Sequence, residues 1–201
     1  MFISFEGIDG CGKTTQTQLL ADHFAAHGKP FVLTREPGGE PLAEKLRELL
    51  LHNEWEVESE MLLFLAARTQ HVRRIITPAL QAGRAVICDR FMDSSRIYQG
   101  VAKGLGVGFY DALHRLTLGD FKPHLTFLLD ISAEDGLQRA QGRGEKQDYF
   151  ESLGLDFQQK LRAGFLQLAG SEPNRIITLD ATLPPEALHQ LIIQRIKLWQ
   201  E

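Results

Sequence analysis

The stretch Gly7-Ile-Asp-Gly-Cys-Gly12-Lys13-Thr14 decides the fold. It matches the pattern GxxxxGK[ST] in full, with the apolar run Phe2–Glu6 before it and a segment of helical period after it. Glycines allow successive backbone N–H groups to point at a phosphate, the start of the following helix adds its positive end, and Lys13 adds a full charge. The stretch therefore predicts a nucleotide-binding P-loop.

This loop predicts both an ATP site and part of a magnesium site. Thr14 offers a hydroxyl to Mg²⁺. Asp89 ends a predicted strand, where open α/β sheets bind ligands, and its carboxylate can reach Mg²⁺ through water. The alternative is that Asp89 caps a turn. The predicted ATP-binding residues of the loop are Gly7, Ile8, Asp9, Gly10, Cys11, Gly12, Lys13, Thr14 and Thr15.

Short apolar runs alternate with longer segments of helical period along the whole chain. The predicted strands are Phe2–Glu6, Pro30–Arg35, Ala85–Asp89, Leu125–Asp130 and Ile176–Asp180. The predicted helices are Lys13–Ala26, Leu42–Leu51, Ser59–Ala82, Gly108–Leu118, Ala133–Arg143, Gly154–Ala169 and Pro184–Gln200. This pattern predicts an α/β three-layer sandwich, a five-stranded parallel sheet flanked by helices. We expect residues 1–201 to form one domain with a mobile lid at about 142–150, since no linker or repeat divides the chain.

Composition excludes several classes of partner. The formal net charge of −4 argues against a protein that coats nucleic acid or anionic membranes. The longest apolar run, Met61–Ala67, is far shorter than the ~18 residues of a spanning helix. Two cysteines without CxxC spacing favour a reduced, cytoplasmic setting, and the histidines show no metal-ligand spacing.

A P-loop alone does not separate a kinase from a GTPase switch or a motor ATPase. Asn53 and Asn174, the only asparagines, precede Glu and Arg, so the Asn-Lys-x-Asp reader of guanine is absent. A kinase needs positive charge for a second phosphate. Arg35 and Arg90 can supply it, because they stand at or just after the ends of strands predicted to flank the P-loop strand. The alternative is a surface ion pair, for instance of Arg35 with Glu36.

Phe64 and Arg68 are four residues apart and share one face of a predicted helix. An aromatic ring can stack on a pyrimidine, and a guanidinium can donate to the carbonyl edge of the base. The pair therefore indicates a base-binding face. The alternative is that Phe64 belongs to a buried stripe with Met61, Leu62, Leu63 and Leu65.

Several stretches together resemble the thymidylate kinase family, P-loop kinases that phosphorylate dTMP. The resemblance covers nearly the whole chain. It rests on Phe5–Thr15 (FEGIDGCGKTT), Thr34–Gly39 (TREPGG), Phe64–Arg68 (FLAAR), Asp89-Arg90, Ser94–Gly100 (SSRIYQG), Leu118–Pro123 (LGDFKP) and Leu179–Thr182 (LDAT).

The resemblance implies a cytoplasmic homodimer that uses ATP and Mg²⁺ to convert dTMP to dTDP. It assigns Ser94 and Ser95 to the polar edge of the base, Tyr98 to the deoxyribose, and Asp9 to magnesium or the sugar hydroxyl. The full implied dTMP site is Asp9, Arg35, Phe64, Arg68, Arg90, Ser94, Ser95, Tyr98 and Gln99. Two alternatives remain open: a P-loop kinase for another small acceptor, and a nucleotide-gated regulatory ATPase.

The lid departs from the family pattern. Relatives without an arginine in the P-loop usually carry several in the lid, but here Gln141 and Tyr149 stand at positions where arginine is expected. Arg139 and Arg143 remain. We expect Arg139, on the preceding helix, to hold ATP, and Arg143, between two glycines, to arrive on closure and stabilise the transition state. The predicted catalytic residues are Lys13, Arg90 and Arg143.

Overall fold

The computed structural model describes residues 1–142 and 149–200. Within these ranges five strands form one parallel sheet in the order β2-β3-β1-β4-β5. The strands are β1 (Phe2–Glu6), β2 (Phe31–Arg35), β3 (Ala85–Asp89), β4 (Leu125–Asp130) and β5 (Ile176–Asp180). The predicted fold class is confirmed.

Helices connect the strands and cover both faces of the sheet. They are α1 (Lys13–Ala26), α2 (Pro41–His52), α3 (Val57–His71), α4 (Thr77–Gln81), α5 (Met92–Ser95), α6 (Val107–Leu118), α7 (Ala133–Gln141), α8 (Gly154–Ser171) and α9 (Pro185–Gln200). Two π-helical segments, Val72–Ile76 and Arg96–Ala102, continue α3 and α5, and Glu151–Leu153 forms a 3₁₀ turn. No helix within the described ranges is long and apolar enough to cross a membrane.

The predicted elements agree with the structure except in two helical regions. Four strands have the predicted bounds, and β2 begins one residue later than predicted, after Pro30. The helix predicted at Ser59–Ala82 is instead α3, a π-helical segment and α4 in succession. The helical segment from Met92 to Ala102 was not predicted.

The order of the strands places the P-loop at the centre of the sheet. All residues of β1 are buried, and β1 pairs with β3 on one side and β4 on the other. The loop leaves the carboxyl end of β1 and leads into α1. Arg90 follows the neighbouring strand β3, as predicted. Arg35 ends β2, which β3 separates from β1, so the prediction that both strands flank β1 is wrong for β2.

Apolar side chains above and below the central strands build the core. Phe5 on β1 and Phe127 on β4 lie with ring centroids 5.4 Å apart. Helices α1 and α9 pack against each other, and α8 packs against the segment Arg96–Ala102. This packing holds the carboxyl edge of the sheet, where the loops meet.

Candidate active site

One large cleft opens at the carboxyl edge of the sheet. Its volume is about 1000 Å³, at the upper end of the ~300–1,000 Å³ range of small-molecule sites. The P-loop and the segment after β5 form one part of its lining. The ends of β2 and β3, together with α3 and Arg96–Ala102, form another. The cleft therefore has room for a donor and an acceptor side by side.

The P-loop is built to hold phosphate. Lys13 is buried, and its Nζ donates to the Ile8 carbonyl at 2.8 Å and to the Gly7 carbonyl at 3.2 Å. Gly12 is the N-cap residue of α1 and makes no side-chain cap hydrogen bond. Backbone N–H groups in the first turn of α1 therefore stay available to an anion. Gly10 has a φ of 77°, and a Cβ there would lie 2.0 Å from the Gly136 carbonyl oxygen. The close approach of α7 thus requires glycine at position 10.

Thr14 and Asp89 meet at the mouth of the loop. The Thr14 hydroxyl donates to Asp89 Oδ2 at 2.6 Å, and Asp89 is registered against Phe5 on the neighbouring strand. A hydroxyl and one carboxylate are the hard oxygen ligands that suit Mg²⁺ held jointly with phosphates. Among the described residues no group of three or more His, Cys, Asp and Glu side chains could hold a metal ion alone. The pair therefore fits Mg²⁺ carried in with a nucleotide.

Arg90 stands opposite the P-loop in a network with Asp9. Its backbone has a φ of 63°, and its guanidinium pairs with Asp9 and donates to the Gly7 carbonyl at 3.0 Å. Tyr98 and Gln158 also donate to Asp9, at 3.3 Å and 3.2 Å. Burial would raise the pKa of Asp9, but Arg90 and then Lys13 more than offset it, so the pKa lies below its ordinary value. Asp9 is thus an anion that fixes Arg90 at the centre of the cleft.

Glu6, at the end of β1, supports the turn that carries Arg90. It accepts from the Phe91 N–H at 2.8 Å and from the Ser94 hydroxyl at 2.5 Å. Ser94 in turn accepts from Arg90 at 3.1 Å. Burial and then the negative charge of Asp93 raise the pKa of Glu6 to about 8. Sequence reasoning assigned no role to Glu6, although Glu6 belongs to the stretch FEGIDGCGKTT.

Arg68, on α3, lines the same cleft and is almost fully buried. Its Nε donates to Glu36 at 2.6 Å, and one terminal nitrogen donates to Ser95 at 2.8 Å and to the Phe91 carbonyl at 3.1 Å. The other terminal nitrogen, Nη1, has no hydrogen-bond partner among the described residues. Burial disfavours the charge of Glu36, but Arg68 and then His71 hold its pKa below its ordinary value. Arg68 therefore keeps its charge and one spare donor.

Gln99 lies beside Arg68 in the same lining. Its amide nitrogen donates to Glu60 Oε1 at 2.8 Å, while its buried oxygen has no hydrogen-bond partner among the described residues. An unsatisfied buried donor and an unsatisfied buried acceptor thus line one pocket. Buried polar groups of this kind need a partner, which a ligand or a water in the cleft can supply.

An aromatic wall closes this pocket. The Phe64 ring is half-buried, with its centroid 6.2 Å from that of Phe150, and Phe150 lies 5.5 Å from Tyr98. The alternative that Phe64 belongs to a buried stripe with its neighbours is wrong in part, because Leu62, a member of that stripe, is 53% exposed. Phe64 therefore offers an aromatic surface to the cleft.

Comparison with known proteins decides the family. A family model described as Thymidylate kinase matches residues 5–192. The chain belongs to the thymidylate kinase family. The Ruegeria pomeroyi thymidylate kinase is 50% identical over 183 residues, covering 90% of this chain and 86% of that protein. The Kosmotoga olearia thymidylate kinase is 42% identical over 200 residues, covering 98% and 96%. A crystal structure of thymidylate kinase from Ehrlichia chaffeensis superposes with a TM-score of 0.79 at 35% identity, covering 98% of each chain.

In this thymidylate kinase family member, Arg139 on α7 lines the same cleft. Its Nη1 donates to the Ala181 carbonyl at 2.9 Å, and it lines the cleft together with Thr182 and Leu183. Sequence reasoning did not assign Thr182 or Leu183 to a site, although LDAT belongs to the resemblance. The predicted catalytic residue Arg143 and most of the predicted lid lie outside the described residues.

Two arginines near the end of β2 have partners or positions that the sequence did not predict. Arg35 lines the cleft but its side chain is 55% exposed and pairs with Glu44 at 3.0 Å. The alternative that paired it with Glu36 is wrong, because Glu36 is buried against Arg68. Arg47 also lines the cleft and donates to the Pro37 carbonyl at 2.8 Å. Sequence reasoning missed Arg47, which sits on a helix face without a motif.

Proposed function

We propose that this protein phosphorylates dTMP to dTDP with ATP and Mg²⁺, in nucleotide biosynthesis. Family membership over nearly the whole chain supports the reaction. The observation that carries the proposal is the pair of unsatisfied groups on the acceptor side, Arg68 Nη1 and Gln99 Oε1. A regulatory ATPase would have no need of such a pocket, and a kinase for a base of another pattern would leave both groups unpaired.

The donor side would bind the phosphates of ATP. Backbone N–H groups of the P-loop and the first turn of α1 face the anion, and Lys13 adds a charge inside the loop. Arg139, held by the Ala181 carbonyl, would contact ATP on the far side. These groups orient the γ-phosphoryl and neutralise its charge, which is most of what protein does in phosphoryl transfer.

Thr14 and Asp89 would hold Mg²⁺ together with the phosphates of ATP. When bound, the ion neutralises phosphate charge during transfer. Thr14 contributes a neutral oxygen and Asp89 an anionic one, and their 2.6 Å hydrogen bond sets the two oxygens side by side. The residues of this chain thereby define where the ion and the nucleotide enter together.

Arg90 would receive the acceptor phosphate. Asp9 and the Gly7 carbonyl hold the guanidinium against the P-loop, so it faces the donor phosphates across the cleft. Arg35 is exposed at the rim and can turn toward the same phosphate. Tyr98 lies beside Asp9 and would pack against the deoxyribose.

The base side matches thymine in its hydrogen-bonding pattern. Thymine presents a carbonyl oxygen at position 4 and an N–H at position 3. Arg68 Nη1 can donate to the first, and Gln99 Oε1 can accept from the second. Phe64 supplies a stacking face, while Ser95 is committed to Arg68 and Ser94 to Glu6 and Arg90. The two serines therefore support Arg68 and Arg90 through hydrogen bonds.

A homodimer is part of the proposal. Leu62 on α3 is 53% exposed, and on α6 Phe109 is 46% and Leu116 is 83% exposed. The two helices pack against each other, so these large apolar side chains lie on neighbouring elements outside the cleft. Both cysteines, Cys11 and Cys88, are free and buried, which supports the proposed cytoplasmic setting. Sedimentation that shows only monomer at micromolar protein would contradict the dimer.

A coupled ADP-release assay over a panel of nucleoside monophosphates tests the function. We expect ADP release with ATP and Mg²⁺ to need an added monophosphate, with dTMP giving the highest kcat/KM. The Lys13→Ala protein, purified in parallel, controls for contaminating kinases. ADP release that does not depend on any monophosphate would favour the regulatory ATPase. A higher kcat/KM for a purine monophosphate or for dCMP would favour another acceptor.

A further inference from the structure

Glu60 is a fully buried carboxylate of α3 that lies behind the acceptor pocket. One of its oxygens accepts from the Gln99 amide nitrogen at 2.8 Å, and the other accepts from Lys103 Nζ at 2.6 Å. Among the described residues that line the cleft, Gln99 is present and Glu60 is not. Glu60 therefore acts on a ligand only through Gln99.

An ionised carboxylate decides which way the Gln99 amide faces. A glutamine amide has an accepting oxygen and a donating nitrogen, and a carboxylate only accepts. If the amide of Gln99 reversed, its oxygen would oppose Glu60 Oε1 in a buried site, and two acceptors would face each other without a proton. The nitrogen therefore stays on Glu60, and the oxygen is left unsatisfied in the cleft lining.

Lys103 keeps this arrangement in place. Its ammonium compensates the buried charge of Glu60, and its side chain is only 12% exposed. The ammonium also lies 4.5 Å from the Tyr149 ring centroid and 4.9 Å from that of Phe150. Of the two rings, that of Phe150 also lines the cleft. An arginine expected at position 149 would instead bring a second cation against Lys103.

We infer that Glu60 is a positioning residue for base selection: it holds the Gln99 amide so that the pocket accepts only bases with a hydrogen at N3. The inference rests on the proposed function. Thymine and uracil carry that hydrogen, whereas cytosine has an acceptor at N3. A reversed Gln99 amide would donate to cytosine, and Glu60 prevents the reversal. Selection by this route is independent of the 5-methyl group.

The test is the Glu60→Gln variant, whose amide can either donate or accept. With both orientations of Gln99 allowed, the ratio of kcat/KM for dTMP to that for dCMP should fall about tenfold, the value of one buried hydrogen bond. The ratio for dTMP to dUMP should stay unchanged, because both bases keep N3–H. The KM for ATP should stay unchanged as well. Asp93→Asn, which weakens another buried ion pair, is the matched control and should leave the dTMP to dCMP ratio as it is.

Two further variants make the result decisive. In the Gln99→Ala background, adding Glu60→Gln should change the base ratio no further if Glu60 acts through Gln99. Glu60→Gln combined with Lys103→Met removes both charges, and it replaces the single variant if that protein does not fold. An unchanged dTMP to dCMP ratio, or an additive effect in the Gln99→Ala background, would overturn the inference. Failure of the unmodified protein to phosphorylate dTMP would instead reject the proposed function.

Discussion

Replacing Glu6 with glutamine should make the protein progressively more stable than the unmodified protein as the pH rises from about 5 to 8. Glu6 is buried at the end of β1, and burial, followed by the charge of Asp93, raises its pKa to about 8 from an ordinary value of 4.5. A glutamine resembles the neutral carboxyl in shape. It can still accept from the Phe91 N–H and can donate to the Ser94 hydroxyl.

The magnitude follows from the two pKa values. Well below pH 4.5 the carboxyl is neutral in both folded and unfolded chains, and the stability it allows is fully present. As the pH rises toward 8, Glu6 ionises only in the unfolded chain, so the free energy of unfolding falls. Because one pKa unit corresponds to about 1.4 kcal/mol, Glu6 lowers the free energy of unfolding by roughly 3 to 4 kcal/mol between pH 5 and pH 8.

Urea unfolding followed by circular dichroism, without nucleotides and at several pH values in this range, measures the effect. The variant minus wild-type difference in the free energy of unfolding should grow steadily with pH. Glu6→Ala is the control. It removes the hydrogen bonds to Phe91 and Ser94 and should therefore be less stable than the wild type even at low pH. Parallel stability curves for Glu6→Gln and wild type would refute the reasoning, since Glu6 would then ionise alike in both states.

Four predictions concern activity. Lys13→Ala should abolish phosphoryl transfer with an unchanged circular dichroism spectrum, because it removes the charge inside the P-loop; an active variant would reject that role. Phe64→Ala should raise the KM for dTMP about tenfold with little change in the KM for ATP, while Trp199→Ala, an exposed aromatic on α9, should change neither; equal effects of Phe64→Ala on both substrates would make Phe64 a core residue. Arg139→Ala should mainly raise the KM for ATP. Arg143→Ala, outside the described residues, should lower kcat by about 10³-fold; a kcat within about twofold of wild type would make Arg143 a solvated charge.

The strands were predictable because their signals are local. Each is a short apolar run that ends at a polar residue, and five such runs alternating with helical periods leave few alternatives. Their order was not predictable, because it depends on contacts between distant parts of the chain. Phe5 pairs with Asp89, and Ile3 pairs with Leu125. Nothing local in Phe31–Arg35 indicates that β3 lies between β2 and β1.

The helical segment from Met92 to Ala102 was missed because tertiary packing overrides its weak local preference. Its serines, Tyr98 and Gly100 are poor helix formers. The segment is nevertheless buried against α8, where a Cβ on Gly164 would lie 3.0 Å from Ile97. The close approach of two helices, which no sequence period reveals, stabilises it.

The types of site residue were predictable, but their partners were not. Arg68 was expected to read a base from an open helix face, and the structure also makes it the partner of buried Glu36. Glu36 follows Arg35 in the chain and was therefore weighed as its neighbour on the surface. Contacts between α3 and the end of β2 decide the pairing, and the packing of α3 against Arg96–Ala102 brings Glu60 to Gln99.

The position of β1 next to β3 has a consequence for how this protein can vary. The P-loop follows β1 in the chain, and Arg90 follows β3. Main-chain hydrogen bonds hold these two strands about 4.8 Å apart. That spacing does not depend on side chains, so under the proposed function the two strand ends would set the distance between the donor and acceptor phosphates. The sequences of the helices and surface loops can change while the distance between the ends of β1 and β3 stays the same. Redesign of the acceptor pocket at Phe64 or Gln99 should therefore change which base binds without moving the phosphates apart.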